Sequence, residues 1–321
     1  MKKRIICLAL AALMVLPAFT LAGCGEKKAK DKYVVGICQL VQHAALDAAT
    51  QGFMDALNEA LPGKVEFQNK NASGEANNCS TIVNGFVSDK VDLIMANATP
   101  ALTAAVSATK DIPILGTSIT AYGVALDLAD FDGTVGGNVS GTSDLADLSA
   151  QAAMITEWFP ETKKVGLLFC SAEPNSRYQI EEVAKYLADK GIESKEFAFT
   201  DTNDVTAVTQ AAADYADVIY IPTDNTAAAN TEAIANVLIP AKVPAICGEE
   251  GICSGCGVAT LSISYYDLGV TTGKMAAKIL TGEADISTMA IEYTNATKKY
   301  NAATCDALGI KPLDGYTAIG E

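Results

Sequence analysis

The chain has 321 residues, with 23 Lys and Arg against 38 Asp and Glu and a net charge of −15. A balance this acidic argues against nucleic acid as a partner, because phosphates need a basic face, while 50% hydrophobic residues exclude a disordered acidic tail. One His (His43), one Trp (Trp158) and, after residue 23, one Arg (Arg177) exclude a multi-histidine metal site, so no metal, cofactor or catalytic residue is expected.

Lys2, Lys3 and Arg4 precede the apolar run Ile5–Leu16, and small residues lead into Leu21-Ala22-Gly23-Cys24. A charged head, a short apolar middle and a small-residue end predict a secretory signal over residues 1–23 rather than a spanning helix. The Leu-Ala-Gly-Cys ending resembles a bacterial lipobox, which makes Cys24 the expected lipidation site and residues 24–32 an anchor and polar tether. No later stretch approaches the ~20 apolar residues of a membrane span, so the expected location is the extracytoplasmic face of the cell membrane, held by lipid.

From Tyr33 onward short β-rich runs alternate with amphipathic segments, the pattern of a parallel α/β sheet. Strands are predicted at Val34–Leu40, Val65–Gln68, Val91–Ala96 and Ile114–Thr117, with helices at Ala44–Leu61, Ala76–Ser88 and Ala101–Thr109. The series restarts with strands at Val165–Phe169, Ser194–Phe199, Val218–Ile221 and Ala245–Cys247. Helices at Ser176–Lys190, Val205–Tyr215 and Thr226–Leu238 lie between them. Val35-Gly36 returns as Val165-Gly166, Asp92-Leu93-Ile94 as Asp217-Val218-Ile219, and Ile112-Pro113 as Val243-Pro244. Two copies of one α/β unit predict two doubly wound parallel-sheet lobes with a cleft between them. The later strand Ala259–Ser264 and helix Tyr266–Thr281 are expected to return to the first lobe, and Ala290–Tyr293 and Lys299–Leu308 to the second. That places residues 33–141 and 259–288 in lobe one, 142–258 and 289–321 in lobe two, joined by a three-crossover hinge whose first crossing is the Gly-rich stretch Gly133–Thr142.

Seven cysteines remain once Cys7 and Cys24 are set aside, an odd scattered set that does not suggest a disulfide framework. Cys253-Ser254-Gly255-Cys256 has neither a second CxxC nor a nearby His to complete a zinc site and reads as small buried residues.

In open α/β sheets ligands bind beyond the carboxyl ends of the strands. This rule singles out loops Gln39–His43, Asn97–Pro100 and Thr117–Tyr122 in the first lobe. In the second it singles out Ser171–Ser176, Thr223–Asn225 and Gly248–Gly251. Helix N-termini and hydroxyls there would suit a ligand carboxylate, and Asp224 or Glu173 a ligand ammonium. Of Glu249 and Glu250, adjacent after a strand, only one can face the cleft. His43 reads as a helix-start or cleft residue rather than a base. Tyr265-Tyr266 opens a helix, where packing and ligand stacking are both open.

The stretches Gln39–Asp47, Asp92–Pro100, Gly137–Asp144, Ser171–Ser176, Tyr220–Thr226, Gly248–Gly251 and Tyr265–Gly269 together resemble the tryptophan/tyrosine-type substrate-binding lipoproteins of bacterial ABC transporters. The similarity runs from about Tyr33 to Tyr293. It implies a periplasmic-binding-protein-like fold of type I that closes on an amino acid, often aromatic (Tyr, Trp or Phe). Such a protein is no enzyme: as a monomer it passes its ligand to a membrane permease driven by a cytoplasmic ATPase. By position, the resemblance makes Gln39, Leu40, Thr99, Thr142, Ser143, Glu173, Asn175, Thr223, Asp224, Asn225 and Glu249 the ligand-binding candidates. Thr120-Ala121-Tyr122 stands where the family commonly has Thr-Asp-Pro, which implies an altered first-lobe wall. Other roles on this scaffold are ligand sensing, surface adhesion, binding of a different small solute, or thiol chemistry at Cys253 and Cys256.

Overall fold

The structure, a computed structural model, describes residues 30–320; the expected signal sequence, Cys24 and most of the tether lie outside the described residues. Two sheets organise the chain. The first holds β1 (Tyr33–Gln39), β2 (Val65–Asn71), β3 (Leu93–Asn97), β4 (Ile114–Ile119), β5 (Val139–Ser143) and β11 (Glu292–Tyr293), ordered β11-β5-β4-β3-β1-β2 and parallel throughout. The second holds β6 (Lys164–Cys170), β7 (Glu193–Phe199), β8 (Val218–Ile221), β9 (Ala245–Cys247), β10 (Ala259–Ile263), β12 (Ala296–Tyr300) and β13 (Thr317–Ala318). Its order is β13-β12-β10-β9-β8-β6-β7, parallel except where β12 runs against β10. Central strands β3 and β4 are buried along their whole length, whereas edge strands β2 and β7 expose most of their polar positions; burial on both faces is what continuous apolar strands require.

Helices α1 (Ala44–Ala60), α2 (Ala76–Asp89), α3 (Thr99–Ala108) and α4 (Tyr122–Ala125) belong to the first lobe. Helices α5 (Leu148–Trp158), α6 (Pro174–Asp189), α7 (Val205–Ala213), α8 (Asn225–Ala229), α9 (Thr231–Ala241) and α10 (Glu250–Cys256) belong to the second. Helix α11 (Tyr265–Thr281), begun by a Ser264 cap and ended by left-handed Gly282, packs back onto α1, and α12 (Ala302–Leu308) closes the second lobe. The α1–α11 contact is close because it is made of glycines: a Cβ at Gly269 would overlap the Ala49 carbonyl, and one at Gly52 the Tyr266 carbonyl. Separate apolar clusters fill the two faces of each sheet. Among the described residues no helix is long and apolar enough to cross a membrane.

Two parallel-sheet lobes and three crossings stand as expected, but the crossings fall elsewhere. The chain passes between sheets after Ser143, after Ile263, and between Tyr293 and Ala296. Residues 139–143 form a strand of the first sheet rather than a crossing: Gly141 sits in the strand at φ +146°, and a side chain there would overlap the Gly116 carbonyl, so its role is close approach of the neighbouring strand. Strand 259–263 joins the second sheet, against β9 and β12, and 292–293 joins the first, against β5. Alternating apolar residues identify a strand without naming its sheet; that choice lies with the neighbouring strands. The helix expected over 226–238 is two, broken at Asn230, whose backbone (φ −127°, ψ 25°) leaves the helical region.

Candidate functional site

The carboxyl ends of the two sheets face each other around a closed cavity of about 10 Å³, room for roughly one water. His43, Leu46, Ser118, Thr120 and Asp144 line it from the first lobe and its hinge; Asn175, Thr223, Asp224, Asn225, Glu249 and Tyr265 line the rest. The lobes touch here, His43 Nε2 lying 3.4 Å from Asn225 Oδ1. Five of the six loops singled out from the strand pattern contribute a wall residue.

The three candidate acids of the second lobe are already engaged. Asp224 accepts from the backbone N–H of Cys170 (2.7 Å) and of Ala227 (2.8 Å), capping α8. Glu249 accepts from the N–H groups of Gly251 and Ile252, capping α10. Glu173 accepts from the backbone and side chain of both Asn225 and Thr226, all within 2.9 Å, and from Asn175 Nδ2 at 3.1 Å. The acids expected to hold an ammonium and the helix N–H groups expected to hold a carboxylate thus satisfy one another. Burial, and then the Glu173 charge, push the Asp224 carboxyl up to about 8, and burial pushes Glu249 up to about 7. Glu250 turns away from the cavity into an ion pair with Lys299, 2.6 Å, so one carboxylate of the pair faces the cleft.

Asp144 differs. It is 4% exposed; Oδ2 accepts from the Tyr265 hydroxyl at 2.8 Å, and Oδ1 has no hydrogen-bond partner. Burial pushes its carboxyl above the usual range, tempered by the hydroxyls of Tyr265 and Thr120. Three further buried polar atoms of the cavity wall also lack partners: His43 Nδ1, Ser118 Oγ and Asn175 Oδ1. Ser118 is carried there by an irregularity between Gly116 and Ile119 that interrupts the β4–β5 register and leaves Ser118 at φ +55°. A side chain re-aimed by a bulge at a strained residue is a device of binding sites.

Asn175, Thr223, Asp224, Asn225 and Glu249 therefore come together at the cavity, whereas Gln39, Leu40, Thr99, Thr142, Ser143 and Glu173 do not line it. Gln39 bridges Val41, Asp47 and Thr50 within the first lobe. Leu40 packs in the first-lobe core, and Thr99 opens α3. Thr142 shares its hydroxyl with Thr117 and Thr272, bracing α11 on the sheet, and Ser143 bonds the Thr120 carbonyl at the first crossing. Tyr122 does not reshape the cavity wall: it is buried in the first-lobe core, donates to the Thr142 carbonyl at 3.1 Å, and occupies space left by Gly116 and Gly141. Cys253 and Cys256 are buried free thiols; burial pushes Cys253 up, and the contact with Cys247 followed by burial pushes Cys256 up, away from the reactive thiolate. Among the described residues no group of three or more His, Cys, Asp or Glu is placed to hold a metal. His43, Leu46, Ser118, Thr120, Asp144 and Tyr265 are wall residues that the resemblance did not give as ligand-binding candidates. Ser118 and Thr120 lie in an expected loop; Asp144 directly follows β5 and would have been named by the same rule had that strand been recognised.

A family model described as ABC transporter substrate binding protein matches residues 34–313. The chain is 34% identical over 295 residues to a tyrosine-binding protein of Clostridioides difficile, covering 90% of this chain and 83% of that one. The structure of an ABC domain in complex with L-Trp from Streptococcus pneumonia superposes with TM-score 0.84 at 29% identity, over 90% of this chain and all of the other. The ligand-free, open structure of a Clostridium difficile substrate-binding protein with adhesive properties gives TM-score 0.68 at 32% identity, over 89% and 99%. At similar identity, the whole chain superposes better on the L-Trp complex than on the open form.

Proposed function

Since the chain belongs to the family of ABC transporter substrate-binding proteins, we propose that its ligand is an aromatic amino acid, tyrosine or tryptophan, enclosed between the two lobes and handed to a membrane permease by a monomer that lipid on Cys24 holds outside the cell. It carries solute and catalyses no reaction. The observation behind this reading is the small inter-lobe cavity whose lining residues carry four buried, unpartnered polar atoms: buried polar groups cost free energy until something bonds them, and a small polar solute does so. The relatives that bind tyrosine and L-Trp supply the side-chain class. The closed cavity admits about one water, so an amino acid enters only when the lobes part, and binding is a hinge closure favoured by contacts that the open form lacks.

Thermal unfolding of the chain without residues 1–24, measured against the twenty amino acids, nucleosides and sugars, tests this. Ligand at a hundred times its Kd adds about 2.7 kcal/mol, roughly 5–11 °C. A shift confined to Tyr, Trp or Phe supports the reading; a shift with a sugar alone, or with small aliphatic amino acids alone, overturns the aromatic assignment. Adhesion is the second reading, favoured by the relative with adhesive properties; deletion that lowers host-cell attachment without lowering uptake would support it.

A further inference from the structure

The unpartnered atoms of the cavity have a definite hydrogen-bonding sense. Asn225 Nδ2 donates to Glu173 Oε2 at 2.7 Å, which turns Asn225 Oδ1 towards His43. An oxygen acceptor needs an N–H, so His43 carries its hydrogen on Nε2. Burial holds the imidazole below its ordinary pKa and hence neutral, which leaves Nδ1 as an acceptor. Asn175 Nδ2 points to Glu173 and the Thr223 carbonyl, so the orphaned Oδ1 is an acceptor too. Asp144 Oδ1 is the third. Asp144 is 4% and Asn175 5% exposed, and no Lys or Arg lines the cavity. These three acceptors belong to residues that line a space for about one small group. A water offers them two hydrogens; a primary ammonium offers three, and a positive charge beside a carboxylate whose second oxygen is already held by Tyr265.

We propose that Asp144, and not Asp224 or Glu173, takes the ligand's amine, with His43 Nδ1 and Asn175 Oδ1 accepting its remaining hydrogens, so that the site selects a free primary ammonium. This rests on the reading of the cavity as the amino-acid site but does not depend on the side chain being aromatic. The backbone N–H of Asp144 donates to the Ile119 carbonyl at 3.2 Å, but its side chain caps no helix, so its charge can be removed without dismantling an element; Asp224 caps α8.

The test is calorimetry and thermal unfolding of the full mature chain with L-tyrosine, L-tryptophan, the other standard amino acids and tyramine, each against its amine-free or N-acetylated counterpart: 3-(4-hydroxyphenyl)propionate and N-acetyl-L-tyrosine for tyrosine. Wild type is expected to bind the primary amine and to bind both counterparts at least about 30-fold more weakly, the scale of a buried charge left without its partner. Asp144→Asn, which keeps an acceptor for Tyr265, should lose affinity for the amine by a similar factor while melting no lower than wild type. His43→Ala, which removes one acceptor from a cap position that makes no capping bond, should lose roughly tenfold. If only a non-aromatic primary amine binds, the aromatic reading falls and this inference stands. Equal binding of the amine-free acid, Asp144→Asn binding within threefold of wild type, or a panel in which no primary amine binds overturns it.

Discussion

Replacing Glu173 by alanine is expected to damage the fold before it damages binding. Glu173 is buried, and its two oxygens accept from Asn225 N (2.9 Å), Asn225 Nδ2 (2.7 Å), Thr226 N and Thr226 Oγ1 (both 2.8 Å), and Asn175 Nδ2 (3.1 Å). It thereby ties the first turn of α6 to the first turn of α8. Each charge-assisted bond contributes about 1.5–3 kcal/mol, but water entering the space left by the carboxylate recovers part of that. The net loss should match that of breaking a buried charged network, about 3–5 kcal/mol. For a chain of this length that lowers Tm by roughly 6–20 °C. Glu173→Gln should be nearly as costly, because its amide nitrogen would face donors where the carboxylate faced them with an oxygen. Circular dichroism melts of the ligand-free protein measure this. A wild-type Tm in Glu173→Ala, together with abolished ligand binding, would refute the clamp and return Glu173 to the ligand.

Gly269→Leu should cost more than about 3 kcal/mol in urea unfolding, because the side chain would enter the Ala49 carbonyl at the α1–α11 contact; an unchanged midpoint would contradict that packing. Stability of the ligand-free chain should fall as pH rises from 6 to 9. Glu249 and Asp224 have folded values raised to about 7 and 8, so the native state binds protons there that the unfolded state, with ordinary carboxyl values, has released. That advantage is lost as pH climbs through the folded values. Glu249→Gln should flatten the dependence, and a Tm that rises over this range would refute the burial argument. Tyr122→Phe removes one bond to the Thr142 carbonyl and should cost about 1 kcal/mol while leaving ligand affinity within twofold of wild type. A larger affinity change by calorimetry would put Tyr122 back in the cavity wall.

The periodicity of the sequence was sufficient to place β1, β8 and α1 almost to the residue and to predict two sheets with a cleft between them, since alternation and helical stripes are local properties. The rule that ligands gather at strand carboxyl ends identified the loops that carry His43, Ser118, Thr120, Asn175, Thr223 and Glu249. Which member of each loop is free to act was not legible there. Asp224, Glu173 and Asp144 are all acids next to strand ends, and composition gives no ground for preferring one. Only in the folded chain do Cys170 and Ala227 consume Asp224, and Asn225 and Thr226 consume Glu173, while Tyr265 takes just one oxygen of Asp144. The strand at 139–143 was hidden because the Gly-rich stretch read as a hinge crossing where the chain uses glycine for close approach, and with it went Asp144. By itself, then, the sequence determined the elements, the two-lobe plan and the loops at the cleft. The tertiary structure decided which sheet receives strands 259–263 and 292–293, and which carboxylate remains unpartnered, because strand pairing and hydrogen-bond satisfaction are settled by neighbours distant along the chain.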